Sequence, residues 1–97
     1  INAIGGGLSD AAPAMRGAPP NRLLAERTAS HAAYRASVDA RIAAVIAIGP
    51  WGMQVGLWDA AGLAGIRTPV LFVAGSVDDV SGYGKGPRAL FEGAVHA

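Results

Sequence analysis

Two unbroken apolar runs organise this chain. Residues 42–48 read Ile-Ala-Ala-Val-Ile-Ala-Ile and residues 70–74 read Val-Leu-Phe-Val-Ala, with no polar position in either. Strict alternation of apolar and polar residues marks a sheet with one wet face. A continuous run of this length instead predicts a strand covered on both faces. Gly49-Pro50 closes the first run, and Pro69 and Gly75 bracket the second, so strands are expected over about 42–48 and 70–75. The stretch between them, 49–69, is far too long for a tight hairpin and long enough for a crossover. Parallel strands in a right-handed β-α-β unit follow.

The remaining segments mix polar and apolar positions. Asp59 is a candidate N-cap for a short crossover helix ending near Leu63. Asn21 is a candidate N-cap for a longer, Ala-rich helix over 22–37, with Leu23, Leu24, Thr28, Ala32 and Tyr34 near one face. Arg22, Glu26, Arg27 and Arg35 form its solvated side, Glu26 lying one helical turn from Arg22. Pro87 suits the first turn of a final helix over 88–95. Gly5-Gly6-Gly7 ends the short opening segment, and 8–21 is a loop carrying Pro13, Pro19 and Pro20. A phosphate-binding loop would need a helix directly after the glycines, and a proline-rich loop stands there instead. The order is loop, helix, strand, helix, strand, helix, which is a mixed α/β pattern.

Composition sharpens this picture. Hydrophobic residues make up 52% of the 97 and charged residues 15%, more apolar than an ordinary small domain. The chain also starts at Ile1 without an initiator Met and is short for a complete large α/β enzyme. The expectation is a partial domain over 1–97, cut from a longer polypeptide. Two strands apolar on both sides need helices on both sides. The net charge of +1 leaves no electrostatic footprint for nucleic acid. The absence of Cys excludes disulfides, thiolate zinc sites and cysteine catalysis within these residues. No apolar run reaches membrane-spanning length.

Candidate chemistry gathers where the strands end. Asp78 and Asp79 follow the second strand at its exit, and in open parallel sheets ligands collect beyond the carboxyl ends of strands. A carboxylate there can orient a histidine, act as acid or base, or bind a metal. Ser76-Val77-Asp78-Asp79 is also ordinary turn chemistry, in which Asp caps the backbone. Beyond the first strand, Trp51, Met53 and Trp58 cluster around Gly52 and Gly56. They read either as an apolar wall of a substrate pocket or as packing of the crossover, each indole N–H bonded to a nearby carbonyl.

Longer stretches carry a resemblance. Residues 67–80, Arg-Thr-Pro-Val-Leu-Phe-Val-Ala-Gly-Ser-Val-Asp-Asp-Val, resemble the penultimate strand of an α/β-hydrolase, where a Pro-led apolar strand runs into Gly-x-x-Asp. Residues 39–53, Asp-Ala-Arg-Ile-Ala-Ala-Val-Ile-Ala-Ile-Gly-Pro-Trp-Gly-Met, resemble the preceding strand and its substrate-side loop. Residues 58–66, Trp-Asp-Ala-Ala-Gly-Leu-Ala-Gly-Ile, resemble the helix that leads back to the acid strand. Together they are most similar to the dienelactone-hydrolase-like branch of that fold family.

The resemblance implies a fragment of an α/β-hydrolase-type, mostly parallel sheet with flanking helices. It implies cleavage of a carboxylic ester or related acyl bond in a small molecule by a nucleophile–acid–histidine triad. Asp78 would be the acid, with Asp79 the alternative, and Trp51, Met53 and Trp58 would line the substrate pocket. Neither a metal nor an organic cofactor is implied.

The departures are equally specific. The nucleophile elbow of this fold reads Gly-x-Ser-x-Gly, and none of Ser9, Ser30, Ser37, Ser76 and Ser81 has glycines two residues away on both sides. Chain order in the fold is nucleophile, acid, histidine, which puts the elbow upstream of Ile1. The triad histidine follows a further strand. His96 instead ends the helix directly after the acid strand, and His31 precedes the acid. Two other classes compete: a nucleotide- or flavin-binding doubly wound fragment, and a non-catalytic hydrolase-like interaction module.

Overall fold

A computed structural model of the chain describes residues 1–94. Strands β1 (Val45–Ile48) and β2 (Val70–Val73) pair in parallel, Val45 opposite Val70 and Ile48 opposite Val73. The connection between them holds a 3-10 turn (Met53–Val55) and a helix, as a parallel crossover requires. Both strands are shorter than their apolar runs. The ladder opens with the Val45 amide on the Pro69 carbonyl at 3.0 Å and closes with the Gly49 amide on Val73 at 2.8 Å. Pro69 has no N–H to extend it backwards, and Ile42 is drawn into a turn on Asp39 instead. At the other end Gly49, with φ of 56°, turns β1 away, so Ala74 and Gly75 have nothing to pair with.

Three α-helices lie among the described residues: α1 (Ala32–Ala36), α2 (Ala60–Leu63) and α3 (Pro87–Gly93). The Asp59 carboxylate caps α2, its Oδ1 accepting the Gly62 amide at 2.8 Å. Pro87 occupies the first turn of α3, where its missing N–H costs nothing.

The long helix expected over 22–37 is broken, and Asn21 caps nothing. Asn21 and Arg22 have left-handed backbone angles, φ of 59° and 52°, inside a run of 3-10 turns over Pro20–Arg27. Thr28 is extended and bridges to Leu8: the Leu8 amide donates to Arg27 at 2.9 Å, and the Ala29 amide donates to Leu8 at 2.9 Å. Those backbone groups cannot also serve a helical ladder. The tertiary pairing overrides a good local helix propensity. Helix α1 starts only after it, with His31 as N-cap, Nδ1 accepting the Tyr34 amide at 3.2 Å.

The core is built from Ile4, Leu8, Ala12, Trp58, Leu63, Ile66, Val70, Leu90 and Ala94. Val45, Ala47 and Phe72 pack onto it from the sheet. The opposite sheet face stays open, with Ile46 63%, Ile48 77%, Leu71 59% and Val73 45% exposed. Among the described residues these strands, apolar on both faces, are covered on one face only. The N-terminal segment, α2 and α3 all contribute to one core, and that core lies on one side of the sheet.

Backbone meets backbone where the N-terminal segment crosses α2. The Gly7 amide donates to the Gly62 carbonyl at 3.1 Å. A Cβ on Gly62 would run into the Gly7 carbonyl oxygen, and one on Gly65 into that of Gly5. Gly5, at φ of 99°, ends the opening 3-10 turn Asn2–Ile4, the role its position suggested. The chain is thus mixed α/β, with a two-stranded parallel sheet covered on one face.

Candidate functional site

Parallel pairing puts the exits of β1 and β2 side by side. The β1 exit is shaped by two left-handed glycines, Gly52 (φ 114°) and Gly56 (φ 78°), flanking the 3-10 turn Met53–Val55. The β2 exit carries Asp78 and Asp79. Gln54 joins the two loops: its Oε1 accepts the Gly52 amide at 2.9 Å, and its Nε2 donates to the Val80 carbonyl at 3.5 Å.

Asp78 is held by its own turn. Oδ1 accepts the Ser81 amide at 2.8 Å and the Val80 amide at 3.0 Å. Ser81, through its amide and then its side chain, lowers this carboxyl below the ordinary Asp value against an opposing desolvation, and the Val80 amide adds the least. Hydrogen bonds to the charged form are the cause. Both amides go to Oδ1, so Oδ2 receives neither. Asp79 is exposed and makes no side-chain hydrogen bond among the described residues. Asp78, rather than Asp79, is the carboxylate anchored to the Ser81 backbone.

The three apolar residues beyond β1 separate in space. Trp58 is a core residue, 9% exposed, and its indole N–H donates to the Trp51 carbonyl at 2.9 Å. Met53 packs against that core. Trp51 is half exposed and lines a cavity of about 490 Å³, together with Leu8, Met15, Leu24 and Val55. A smaller hollow of about 250 Å³ lies beside the end of β2, between Phe72, Ala74, Tyr83, Pro87, Arg88 and Phe91. The Phe72 and Phe91 rings meet there edge to face, 6.1 Å apart.

Ser9, Ser30, Ser37 and His31 are each engaged away from Asp78. Ser9 is buried, its hydroxyl donating to the Gly56 carbonyl at 2.9 Å. Ser30 bonds Asp10 and Ser37 bonds the Tyr34 carbonyl, both within the N-terminal part. Ser81 is buried beneath the Asp78 turn. His31 is spent on capping α1, and His96 lies outside the described residues. No group of three or more His, Asp or Glu side chains among the described residues could hold a metal ion. No helix among them is long and apolar enough to cross a membrane.

Comparison of the chain with family models, with curated proteins and with solved structures found no match. Sequence reading named Trp51 as a pocket wall but missed the walls that face it across the cavity of about 490 Å³. Its walls come from the loop 8–19, the 3-10 turns of Pro20–Arg27 and the β1 exit, and no motif spans them. Proline density over 13–20 was the available signal, since it keeps that loop from collapsing into a helix.

Proposed function

We propose that the chain contributes the acid of a nucleophile–histidine–acid triad to an α/β-hydrolase-type enzyme that cleaves carboxylic esters or related acyl bonds. Asp78 is the acid in this reading, and the nucleophile and histidine are supplied by sequence outside these 97 residues. The observation supporting it is the state of Asp78 at the exit of a parallel strand. Its carboxyl titrates below the ordinary Asp range and is rigidly oriented through Oδ1, while Oδ2 takes neither amide. A triad acid needs that combination. It must stay ionised while it fixes the histidine tautomer through Nδ1–H and stabilises the imidazolium formed as the nucleophile loses its proton.

Turnover of p-nitrophenyl butyrate tests the reading. The 97-residue chain alone is expected to be inert, because triad members act as a unit. In the complete polypeptide Asp78→Asn should lower kcat by about 10⁴-fold, and Asp79→Asn by less than about tenfold. Absence of aryl-ester turnover by the complete polypeptide, or an Asp78→Asn variant as active as the parent, would defeat it.

A further inference from the structure

We infer, on the reading of Asp78 as the triad acid, that Gln54 is a positioning residue for Asp78: its side-chain amide carries the fixed geometry of the β1 exit across to the peptide that holds the Asp78 carboxylate. Two hydrogen bonds place that side chain. Its Oε1 accepts the Gly52 amide at 2.9 Å, and its Nε2 donates to the Val80 carbonyl at 3.5 Å. The Val80 carbonyl belongs to the same peptide unit as the Ser81 amide, which donates to Asp78 Oδ1 at 2.8 Å. Three amide groups therefore follow one another head to tail: the Gly52 amide, the Gln54 side chain and the 80–81 peptide. All three donate in the direction of one carboxylate oxygen.

The two ends of this relay differ in freedom. Gly52 is buried, and a Cβ on it would meet the Trp58 indole nitrogen and the Leu57 side chain, so it is tightly packed. Its carbonyl accepts the Val55 and Leu57 amides at 3.3 and 2.9 Å, which fixes the turn that carries Gln54. The Asp78 turn is the looser end, with Val77, Asp79 and Val80 exposed. Among the described residues no other hydrogen bond joins 50–57 to 74–86. A hydrogen bond accepted by a peptide carbonyl polarises the unit and makes its N–H a better donor, by roughly 10–30% for each bond in such a series. Gln54 thus acts on Asp78 twice, fixing the plane of the 80–81 peptide and strengthening its bond to Oδ1. At 3.5 Å the Val80 contact is the weakest link, so the expected change at Asp78 is small and sets the scale of the test.

The test is a ¹³C-detected titration of the Asp78 carboxyl in the 97-residue protein, its peak identified by loss in Asp78→Asn, with the Ser81 amide proton followed at neutral pH. Gln54→Met keeps length and bulk but has no donor and only a weak acceptor. It should raise the Asp78 titration midpoint toward the ordinary value, lowering the acid dissociation constant about 1.5- to 3-fold, and move the Ser81 amide proton upfield. Gln54→Glu, read at neutral pH, keeps the acceptor for Gly52 but has no donor for Val80, and it should move the Ser81 amide proton the same way. The Asp39 carboxyl, held by Arg41, is the internal control and should stay where it is. A role confined to shaping the β1 loop predicts that Gln54→Glu matches the parent, and a packing role predicts that Gln54→Met does; either result would overturn the inference. If one variant fails to fold, the other decides. In the complete polypeptide Gln54→Met should lower kcat for p-nitrophenyl butyrate at least about threefold with KM within about twofold, as misplacing a reacting group does; an unchanged kcat would also overturn it. If the parent turns over no ester, the acyl-hydrolase reading fails, and the titration still decides whether Gln54 holds Asp78.

Discussion

Gly62→Ala is expected to destabilise the protein, although the same change in an exposed helix does the opposite. In a helix interior Ala is favoured over Gly by about 1 kcal/mol. Gly62 sits in α2, but its α-carbon faces the Gly7 carbonyl, and a methyl group built there overlaps that oxygen. The obstacle is backbone and cannot rotate away. Gly7 is itself pinned against Ala29, so the strand of chain cannot retreat. Overpacking of this kind costs about 1–3 kcal/mol, and separating the segments also weakens the 3.1 Å bond from Gly7 to Gly62, worth about 1 kcal/mol. Set against the propensity gain, the net loss is about 2 kcal/mol. With a urea m-value of about 1 kcal/mol/M, the unfolding midpoint should fall by about 2 M. Gly75→Ala is the matched control. Gly75 has no heavy atom near its missing Cβ, so the change should be neutral or raise stability by up to about 1 kcal/mol through the unfolded chain. A Gly62→Ala midpoint at or above the parent's, or a fall no larger than that of Gly75→Ala, would refute the argument.

Two further outcomes are expected. His31→Ala should cost about 1 kcal/mol and speed hydrogen exchange at the Tyr34 amide, with His31→Asp restoring both; unchanged Tyr34 exchange would show that the cap carries no weight. Asp78 titrates below its ordinary value of 3.8, so the folded protein holds this proton less readily than the unfolded chain. Its contribution to stability is complete above that value and is lost as pH falls through the lower folded value. The difference in urea midpoint between the parent and Asp78→Asn should therefore shrink in acid below pH 3.8, and a difference that holds constant or grows would contradict the turn geometry.

What could be read from the sequence followed local rules. The two strand segments, the Asp59 cap, the Pro87 helix start and the glycine stop at Gly5 each depend on residues within a few positions of one another. What escaped depends on distant pairs. The Ala-rich segment gives no local reason to break at Thr28; Leu8, twenty residues earlier, supplies it by bridging there. The seam between α2 and the N-terminus was written as Gly62 in α2 and Gly65 in the turn after it, facing Gly7 and Gly5 respectively, but nothing local says that the two pairs meet. The apolar runs showed that both faces of the sheet are greasy, and only the packing shows which face the described residues cover. For the site, the sequence located Asp78 and its turn chemistry, while the cavity beside Trp51 required three segments to be brought together.

The same seam has a consequence for how the protein emerges from the ribosome. Gly7 bonds Gly62, and Ile4, Leu8 and Ala12 share a core with Leu63, Ile66 and Leu90. The first apolar residues are made well before any of those partners exist. Synthesis proceeds at roughly 5–20 residues per second, so the segment around Leu8 waits some 3–11 s for α2 to appear. Its bonds to Leu57 and Gly62 and its core contacts with Leu63, Ile66 and Leu90 are long-range, so for these loop closure must come first. Whatever keeps this segment from straying during those seconds, whether a chaperone or its own proline-rich loop, acts before the structure has any stability to offer.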